Sequence, residues 1–270
     1  MPEGHTLHRL ATELTAVFGG HGVSSSSPQG RFDAGAARID GRVLKWADAW
    51  GKHLLIDFAG LQERVHVHLG IYGSFVVAAA DQRLVGQIRW RLETATATAD
   101  LRGPTVCELL DPGAADDLIA RLGPDPLRAD ADPERVWQRI SASRAPIATL
   151  LMDQRVLAGV GNVYRAELLF RHRLDPDLAG HQLDHDTFTA MWEDLTGLMR
   201  EGERTGRIDT VDPEHDPQAM GRDPRVDDHG GEVYVYRRTD QACLVCSTPV
   251  RTRVLAGRNL FWCPSCQHRG

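Results

Sequence analysis

Four cysteines near the end of the chain constrain its fold more than any other feature. Cys243-Leu-Val-Cys246 is followed, after sixteen residues, by Cys263-Pro-Ser-Cys266. Two C-x2-C pairs at this separation present four thiolates in the tetrahedral arrangement that zinc prefers. The protein fills all four positions, so the predicted zinc ion is structural. Two disulfides are the alternative, and a cytosolic chain disfavours them.

The residues between the two cysteine pairs predict a β-hairpin with Arg258 at its turn. A metal-braced arginine in a turn can reach a phosphate or a groove of nucleic acid. A solvent-exposed turn arginine without a role is the alternative. The net charge of the chain is −6, which argues weakly against nucleic acid. The charge is uneven, however, at −6 over residues 201–232 and +5 over residues 233–270.

Hydrophobic periodicity predicts a β-rich N-terminal part and a helical C-terminal part. Apolar residues at helical spacing predict a helix over residues from about 4 to 18, followed by a loop over 19–33. Six short β-like runs between residues 42 and 111 predict a sandwich or barrel. The acidic, proline-rich segment 113–130 predicts a linker between domains. Helical patterns follow, and a Gly/Asp/Pro-rich segment at 202–232 is expected to be mobile.

The first residues of the chain allow two interpretations. If Met1 is removed, Pro2 presents a secondary amine, and α-amino groups titrate near ~7.7–8, so part of the amine is a free nucleophile at neutral pH. Such an amine can attack an electrophilic carbon and form an iminium ion, and Glu3 beside it can act as general acid. Proline and an acidic residue are also ordinary at a helix start. These residues alone favour the ordinary helix start.

Further candidate residues have equally ordinary alternatives. Lys52 lies at the start of a predicted strand and is a surface lysine if it has no partner. Asn162 follows two glycines before a helix, where it can contact a phosphate or simply cap the helix. Ile71 and Tyr72 lie in a glycine-flanked turn, as core residues or as a wedge that unstacks bases. The twelve histidines show no catalytic metal spacing and are assigned to surface, core or capping roles.

Taken in order, several segments resemble the Fpg/Nei family of DNA glycosylases, which comprises formamidopyrimidine-DNA glycosylase and endonuclease VIII. The resemblance extends from Pro2 to Gln267 and therefore covers essentially the whole chain. It is carried by an N-terminal PEG before a helix, by the zinc pattern, and by the segments GKHLL (51–55), HLGIYG (68–73), GVGNVYRAE (159–167) and GRNLFWCPSCQ (257–267).

The resemblance implies an α+β fold in four parts. It implies an N-terminal β-sandwich bearing the catalytic helix (2–112), a hinge (113–130), a helix–two-turn–helix domain (131–232) and a zinc-finger hairpin (233–270). It also implies that Pro2 is the Schiff-base nucleophile, Glu3 the acid, and Lys52 a phosphate-contacting residue that aids catalysis. Asn162 and Arg258 match the family's phosphate-binding residues.

The implied activity is excision of a flipped-out damaged base, followed by strand cleavage through β- and then δ-elimination. Ile71-Tyr72 resembles the Leu-Tyr of endonuclease VIII, and the arginine–phenylalanine loop of the 8-oxoguanine enzymes is missing between Trp90 and Asp111. Both features favour oxidised pyrimidines over 8-oxoguanine or formamidopyrimidine. The partner is damaged DNA, and a monomer is expected.

Two residues depart from the family pattern. The family continues with proline and glutamate where this chain has His5 and Thr6, which removes a carboxylate near the nucleophile. A non-catalytic protein that binds lesions or abasic DNA is therefore an alternative, as is a zinc-ribbon nucleic-acid-binding module. No apolar run approaches the ~18 residues of a membrane span, and no secretion signal opens the chain. The expected location is the cytoplasm, at the nucleoid when DNA is bound.

Overall fold

The computed structural model describes residues 2–80, 85–226 and 231–268. It divides into two compact units, Met1–Arg121 and Leu122–Gly270. The division falls inside the predicted linker 113–130. Within the described residues, no helix is long and apolar enough to cross a membrane.

The N-terminal unit is a β-sandwich with helices at its borders. Its elements, in chain order, are α1 (Gly4–Phe18), β1 (Ser24–Ser26), α2 (Asp33–Ile39), β2 (Leu44–Trp50), β3 (His53–Phe58), β4 (Arg64–His68), β5 (Ser74–Ala79), β6 (Ile88–Glu93), β7 (Ala97–Arg102), β8 (Val106–Leu110) and α3 (Pro112–Ala120). The described strands form two antiparallel sheets, ordered β1-β6-β7-β5 and β2-β3-β4-β8.

Aromatic rings join the two sheets in the core of this unit. Trp90 on β6 is fully buried. Its ring centroid lies 6.4 Å from that of Phe58 in the other sheet and 5.7 Å from that of Phe75. Rings at such distances and tilts attract one another in addition to the area that they bury. The apolar face of α1 packs against β2 and β3, which fixes the N-terminus of the chain on the sandwich.

The predicted sandwich and first helix are confirmed, and three local predictions in this unit are corrected. The predicted loop 19–33 contains β1, and α2 follows it without having been predicted. One of the six predicted β-like runs, residues 87–101, is a hairpin of two strands, closed where the Thr94 N–H donates to the Ala97 carbonyl at 2.9 Å. The first part of the predicted linker is α3, because the Asp111 carboxylate caps it by accepting from the Ala114 N–H.

The C-terminal unit is helical and ends in a two-stranded hairpin. Its elements, in chain order, are α4 (Pro133–Ser141), α5 (Ile147–Leu150), α6 (Asn162–Arg171), a 3-10 turn (Gly180–Gln182), α7 (His185–Thr205), a second 3-10 turn (Pro213–His215), α8 (Pro217–Met220), β9 (Arg251–Leu255) and β10 (Arg258–Trp262). The strands β9 and β10 are the predicted hairpin between the cysteine pairs.

The acidic segment 202–232 contains more regular structure than was predicted. Helix α7 extends through Thr205 into the segment, which then forms the second 3-10 turn and α8. Arg171 on α6 donates to Asp194 and to the carboxylate of Asp212 at 3.0 Å, which ties the start of the segment to the helices. Residues 227–230 lie outside the described residues. The mobility of the segment stays a prediction.

Candidate functional sites

The N-terminus of α1 places the predicted nucleophile beside a buried carboxylic acid. Pro2 is half-buried, and Glu3, the residue that precedes the first turn, is 0% exposed. The Glu3 backbone N–H donates to the Thr6 hydroxyl at 3.4 Å, and the Thr6 N–H donates to the Glu3 carbonyl at 3.0 Å. Thr6 therefore closes the first turn of the helix around Glu3. The structure thus supplies a local role for one of the two residues that depart from the family pattern.

The other departing residue, His5, adds a neutral group at the same place. Its side chain is 4% exposed, and its Nε2 lies 3.3 Å from the Thr6 hydroxyl. Burial, with smaller contributions from neighbouring positive charges, lowers the pKa of His5 to about 4. The ring is therefore uncharged at neutral pH. An uncharged imidazole therefore stands where the family pattern has proline, and the missing carboxylate is at the neighbouring position, Thr6.

Lys52 lies in the tight turn between β2 and β3, in the same unit as Pro2. Gly51 holds the turn with φ 58°, a conformation that glycine adopts without strain. Lys52 is half-buried, and its charge contributes to lowering the pKa of both His53 and His68. The predicted lysine thus lies close enough to His53 and His68 to influence both rings electrostatically.

The turn after β4 separates a core residue from two exposed apolar residues. Leu69 is buried in the sandwich, whereas Ile71 is 42% exposed and Tyr72 is 92% exposed. A Cβ added to Gly73 would lie 2.2 Å from the Leu69 carbonyl oxygen, so the turn depends on glycine there. Ile71 and Tyr72 are therefore surface residues, as a wedge requires.

In the C-terminal unit, Asn162 contacts the hairpin instead of capping its own helix. Gly161 precedes the first turn of α6, whose N-terminus has no side-chain cap, and Asn162 is its first helical residue. The Asn162 amide donates to the Asn259 carbonyl at 2.9 Å, and Arg165 donates to that same carbonyl at 2.9 Å and to the Asn162 amide oxygen. These bonds fix the hairpin turn on α6, beside Arg258. Arg258 itself is exposed at the first position of β10.

The four cysteines come together as predicted. Their sulfur atoms all lie within 4.8 Å of one another, with Cys243 to Cys266 at 3.9 Å and Cys246 to Cys263 at 3.4 Å. A tetrahedral ion with zinc–sulfur bonds of ~2.3 Å sets its ligands about 3.8 Å apart, so the residues fit one zinc ion. Three of the four side chains are buried, as a structural site requires.

Several residues of these sites were not predicted. Glu167 on α6 is fully buried and accepts the backbone N–H groups of residues 234, 235 and 236 at 2.6, 2.9 and 2.8 Å. It also accepts the Thr210 hydroxyl at 2.7 Å. Residues 234–236, at the start of the predicted zinc-finger part 233–270, are thereby bonded to α6. Arg165 and Glu167 occur in the quoted GVGNVYRAE segment, but charged residues inside a helix do not by themselves indicate burial.

Comparison with protein families gives three matches along the chain. The Formamidopyrimidine-DNA glycosylase N-terminal domain matches residues 1–107, and the Formamidopyrimidine-DNA glycosylase H2TH domain matches residues 122–212. The zinc finger found in FPG and IleRS matches residues 240–269. The three matches follow the observed order of sandwich, helices and hairpin.

Individual relatives are similar over the full length. The chain is 53% identical over 275 residues to Endonuclease 8 1 of Mycobacterium tuberculosis, covering 99% of this chain and 100% of that protein. It is 31% identical over 274 residues to the DNA-(apurinic or apyrimidinic site) lyase Nei2 of Mycolicibacterium smegmatis, covering 99% of each. The crystal structure of the Lactococcus lactis Fpg with DNA containing an abasic site is similar in fold, with a TM-score of 0.80 at 19% identity, covering 99% of this chain and 100% of that one.

Proposed function

Because the chain belongs to the Fpg/Nei family of DNA glycosylases, we propose that it is a bifunctional DNA glycosylase and abasic-site lyase of base excision repair. The observation that carries this proposal is the pairing of a half-buried Pro2 with a fully buried Glu3 at the start of α1. A protein that only binds DNA needs no acid buried beside its N-terminal residue. Loss of Met1, which lies outside the described residues, is part of the proposal because it exposes the Pro2 amine.

The first step is base excision. The Pro2 nitrogen attacks C1′ of the flipped nucleotide, and the N-glycosidic bond breaks, with its electron pair leaving on the base, which takes up the proton that the nitrogen loses. The C1′–O4′ bond then opens, Glu3 protonates O4′, and the nitrogen lone pair forms the iminium ion. Burial away from water suits Glu3 to this role, because its proton is then directed to the sugar oxygen.

The second step is strand cleavage. A proton leaves C2′, the electron pair of that bond forms the C2′=C3′ double bond, and the 3′ phosphate leaves with the C3′–O pair. A further elimination expels the 5′ phosphate. Lys52, in its glycine-held turn, contacts a phosphate and aids these steps, as its counterpart in the family pattern implies.

The DNA contacts are proposed from exposure and charge. Tyr72 and Ile71 project from their turn and fill the gap left by the flipped nucleotide. Arg258 binds a backbone phosphate, and Asn162 holds the turn that presents it. The acting species is a monomer, cytoplasmic and associated with the nucleoid when DNA is bound. Oxidised pyrimidines are the favoured lesions, since the endonuclease VIII resemblance extends through the Ile71-Tyr72 turn.

A nicking assay tests the function. Oligonucleotides carrying thymine glycol, 5-hydroxyuracil, 8-oxoguanine or an abasic site, single- and double-stranded, are incubated with the purified protein. We expect cleavage of abasic DNA and of both pyrimidine lesions, with weaker activity on 8-oxoguanine. Preference for 8-oxoguanine would contradict the lesion assignment but not the activity.

Borohydride trapping tests the nucleophile. Reduction of the iminium ion should link the protein covalently to damaged or abasic DNA, and Pro2→Gly should greatly reduce the trapped product. Equal trapping by that variant would contradict the assignment of Pro2. Binding of abasic DNA without trapping or cleavage by the wild type would instead identify a non-catalytic lesion-binding protein.

A further inference from the structure

Three polar side chains form a hydrogen-bonded row across the sheet that begins at the Lys52 turn. The His66 Nδ1 lies 3.1 Å from the Glu108 carboxylate, and the His66 Nε2 lies 2.9 Å from the His53 Nδ1. His66 pairs directly with Glu108 in the register of β4 and β8, so these two side chains share a face of the sheet. His53 is the first residue of β3, immediately after Lys52.

The carboxylate at one end determines the tautomer of both rings. An ionised carboxylate only accepts hydrogen bonds, so the proton of neutral His66 is on Nδ1. The His66 Nε2 is then an acceptor, and the proton of His53 must be on its Nδ1. The second nitrogen of His53, Nε2, is left with a lone pair. A catalytic Ser-His-Asp arrangement orients its imidazole by the same logic.

The open end of the row is His53, which follows Lys52 in the chain, and its ring is kept neutral. Among the residues that the structure describes, the His53 Nε2 has no hydrogen-bond partner. Burial, followed by the charges of His66, His68, Lys52 and Arg121, lowers the pKa of His53 to about 3. The ring therefore stays uncharged throughout the neutral range, and its Nε2 keeps a lone pair. The other end is open to solvent, because the Glu108 side chain is 50% exposed whereas that of His66 is 6% exposed.

His68, the third histidine of this group, does not offer a free acceptor nitrogen in its neutral form. Its Nδ1 accepts the Gly70 backbone N–H at 3.1 Å, so its neutral ring carries the proton on Nε2. Its ring centroid lies 5.0 Å from that of His53, in an edge arrangement. His68 is therefore a neighbour that helps to enclose His53.

We propose that His53, His66 and Glu108 form a proton wire that carries the proton released in strand cleavage from the Lys52 turn to solvent. This inference rests on the proposed lyase function and adds a path for its proton. The proton lost from C2′ binds His53 Nε2, the Nδ1 proton of His53 passes to His66 Nε2, and the Nδ1 proton of His66 passes to the Glu108 carboxylate. Glu108 then releases a proton to water, and no imidazolium persists.

Substitution of Glu108 by Gln tests the wire, since the amide oxygen still accepts a hydrogen bond but the amide does not take up a proton. In dilute buffer, we expect cleavage of abasic DNA under single-turnover conditions to slow by about tenfold or more, the low end of what proton-transfer groups contribute. Borohydride trapping should remain near the wild-type level, because iminium formation does not use the wire. Added imidazole should restore cleavage by carrying the proton itself. His66→Gln should behave in the same way.

Glu93→Gln is the matched control, since Glu93 is similarly exposed on a strand of the other sheet. It should cleave like the wild type. Wild-type cleavage by Glu108→Gln in dilute buffer would overturn the wire while leaving the lyase function intact. A defect that imidazole does not relieve, or that accompanies a lowered melting temperature, would assign these residues a structural role and overturn it as well. A wild type that neither traps nor cleaves would refute the proposed function itself.

Discussion

The two units hold their candidate functional side chains by different physical means. In the N-terminal unit, Glu3 and the histidines are placed by a helix turn, a tight hairpin and a hydrogen bond between two imidazole rings. In the C-terminal unit, a metal site and charged side chains on α6 hold the hairpin. In the proposed function the first unit carries out the chemistry and the second holds DNA, so the two roles make different demands on buried polar groups.

The two units differ in how their buried polar groups use their hydrogen-bond donors and acceptors. The N-terminal site keeps its rings neutral through burial and leaves an acceptor open at His53. The C-terminal site uses the charges of Arg165 and Glu167 on backbone partners and leaves Arg258 exposed. The two units therefore differ in where their buried polar groups direct their hydrogen bonds: to other side chains in the first, and to the backbone in the second.

Removal of zinc should have the largest effect, because it should disrupt the C-terminal unit and leave the N-terminal unit folded. Structural zinc contributes roughly 10–16 kcal/mol to the folding of zinc-finger peptides, so Cys263→Ser or chelation should disorder the hairpin. DNA affinity should be lost while the sandwich keeps its near-ultraviolet circular dichroism from Trp90. Full affinity of the metal-free protein in a fluorescence anisotropy titration would contradict this role of the hairpin.

Glu3→Gln should slow base excision without weakening DNA binding. Loss of a general acid costs about 10²- to 10⁴-fold in rate, and we expect base excision to fall within that range. The amide preserves the shape of the carboxyl group, so abasic-DNA affinity should stay within about twofold. Single-turnover excision and anisotropy measure the two quantities, and a parallel loss of both would show that Glu3 supports the fold.

Glu167→Gln should destabilise the C-terminal unit. The amide nitrogen would face backbone N–H groups that now donate to a carboxylate, and breaking a buried charged arrangement costs about 3–5 kcal/mol. Urea unfolding followed by tryptophan fluorescence measures the change. Glu193→Gln, at an exposed position of α7, is the control and should leave the unfolding free energy unaltered.

Acid should destabilise the N-terminal unit through its neutral histidines. The pKa of His53 is lowered to about 3 and that of His5 to about 4, whereas unfolded histidine titrates near ~6.5. The unfolded chain therefore binds more protons, and stability present above pH ~6.5 is lost as the pH falls toward the folded-state values. Thermal melts from pH 7 to 4 should show a smaller decline for His53→Gln than for the wild type. Identical declines would contradict the burial of a neutral His53.

Arg258→Ala should give the smallest effect, and it should show whether Arg258 binds the DNA backbone or recognises the damaged base. Loss of one phosphate contact should weaken binding of every lesion alike and reduce the slope of log affinity against log salt by about 1. Anisotropy titrations over a range of salt concentrations measure both. A changed ranking of lesions would mean that Arg258 reads the base.

The elements predicted most accurately from the sequence are those whose signals are local. Helix α1 and the zinc hairpin were predicted correctly because their signals, periodicity and cysteine spacing, lie within a few residues of one another. Strand β1 was missed because its three serines show no alternation of apolar and polar residues. The short helix α2 has only seven residues and too few apolar positions for a period.

The unpredicted parts of the sites depend on long-range register. His66 and Glu108 are 42 residues apart and meet only because β4 pairs with β8 in one particular register. Arg165 and Asn259 are 94 residues apart. A pattern in one segment does not specify which distant segment will lie beside it, so such partners emerge only with the fold.

The bonds that Glu167 and Arg165 make have a consequence for how this protein can diverge. Both side chains bind main-chain groups, the N–H groups of residues 234–236 and the carbonyl of residue 259. Every residue except proline offers the first, and every residue offers the second. These hydrogen bonds therefore do not depend on which side chains the attached residues carry, although the side chains of residues 233–236 are themselves buried in the core. Helix α6 thus holds residues 234–236 and the hairpin through their backbone groups.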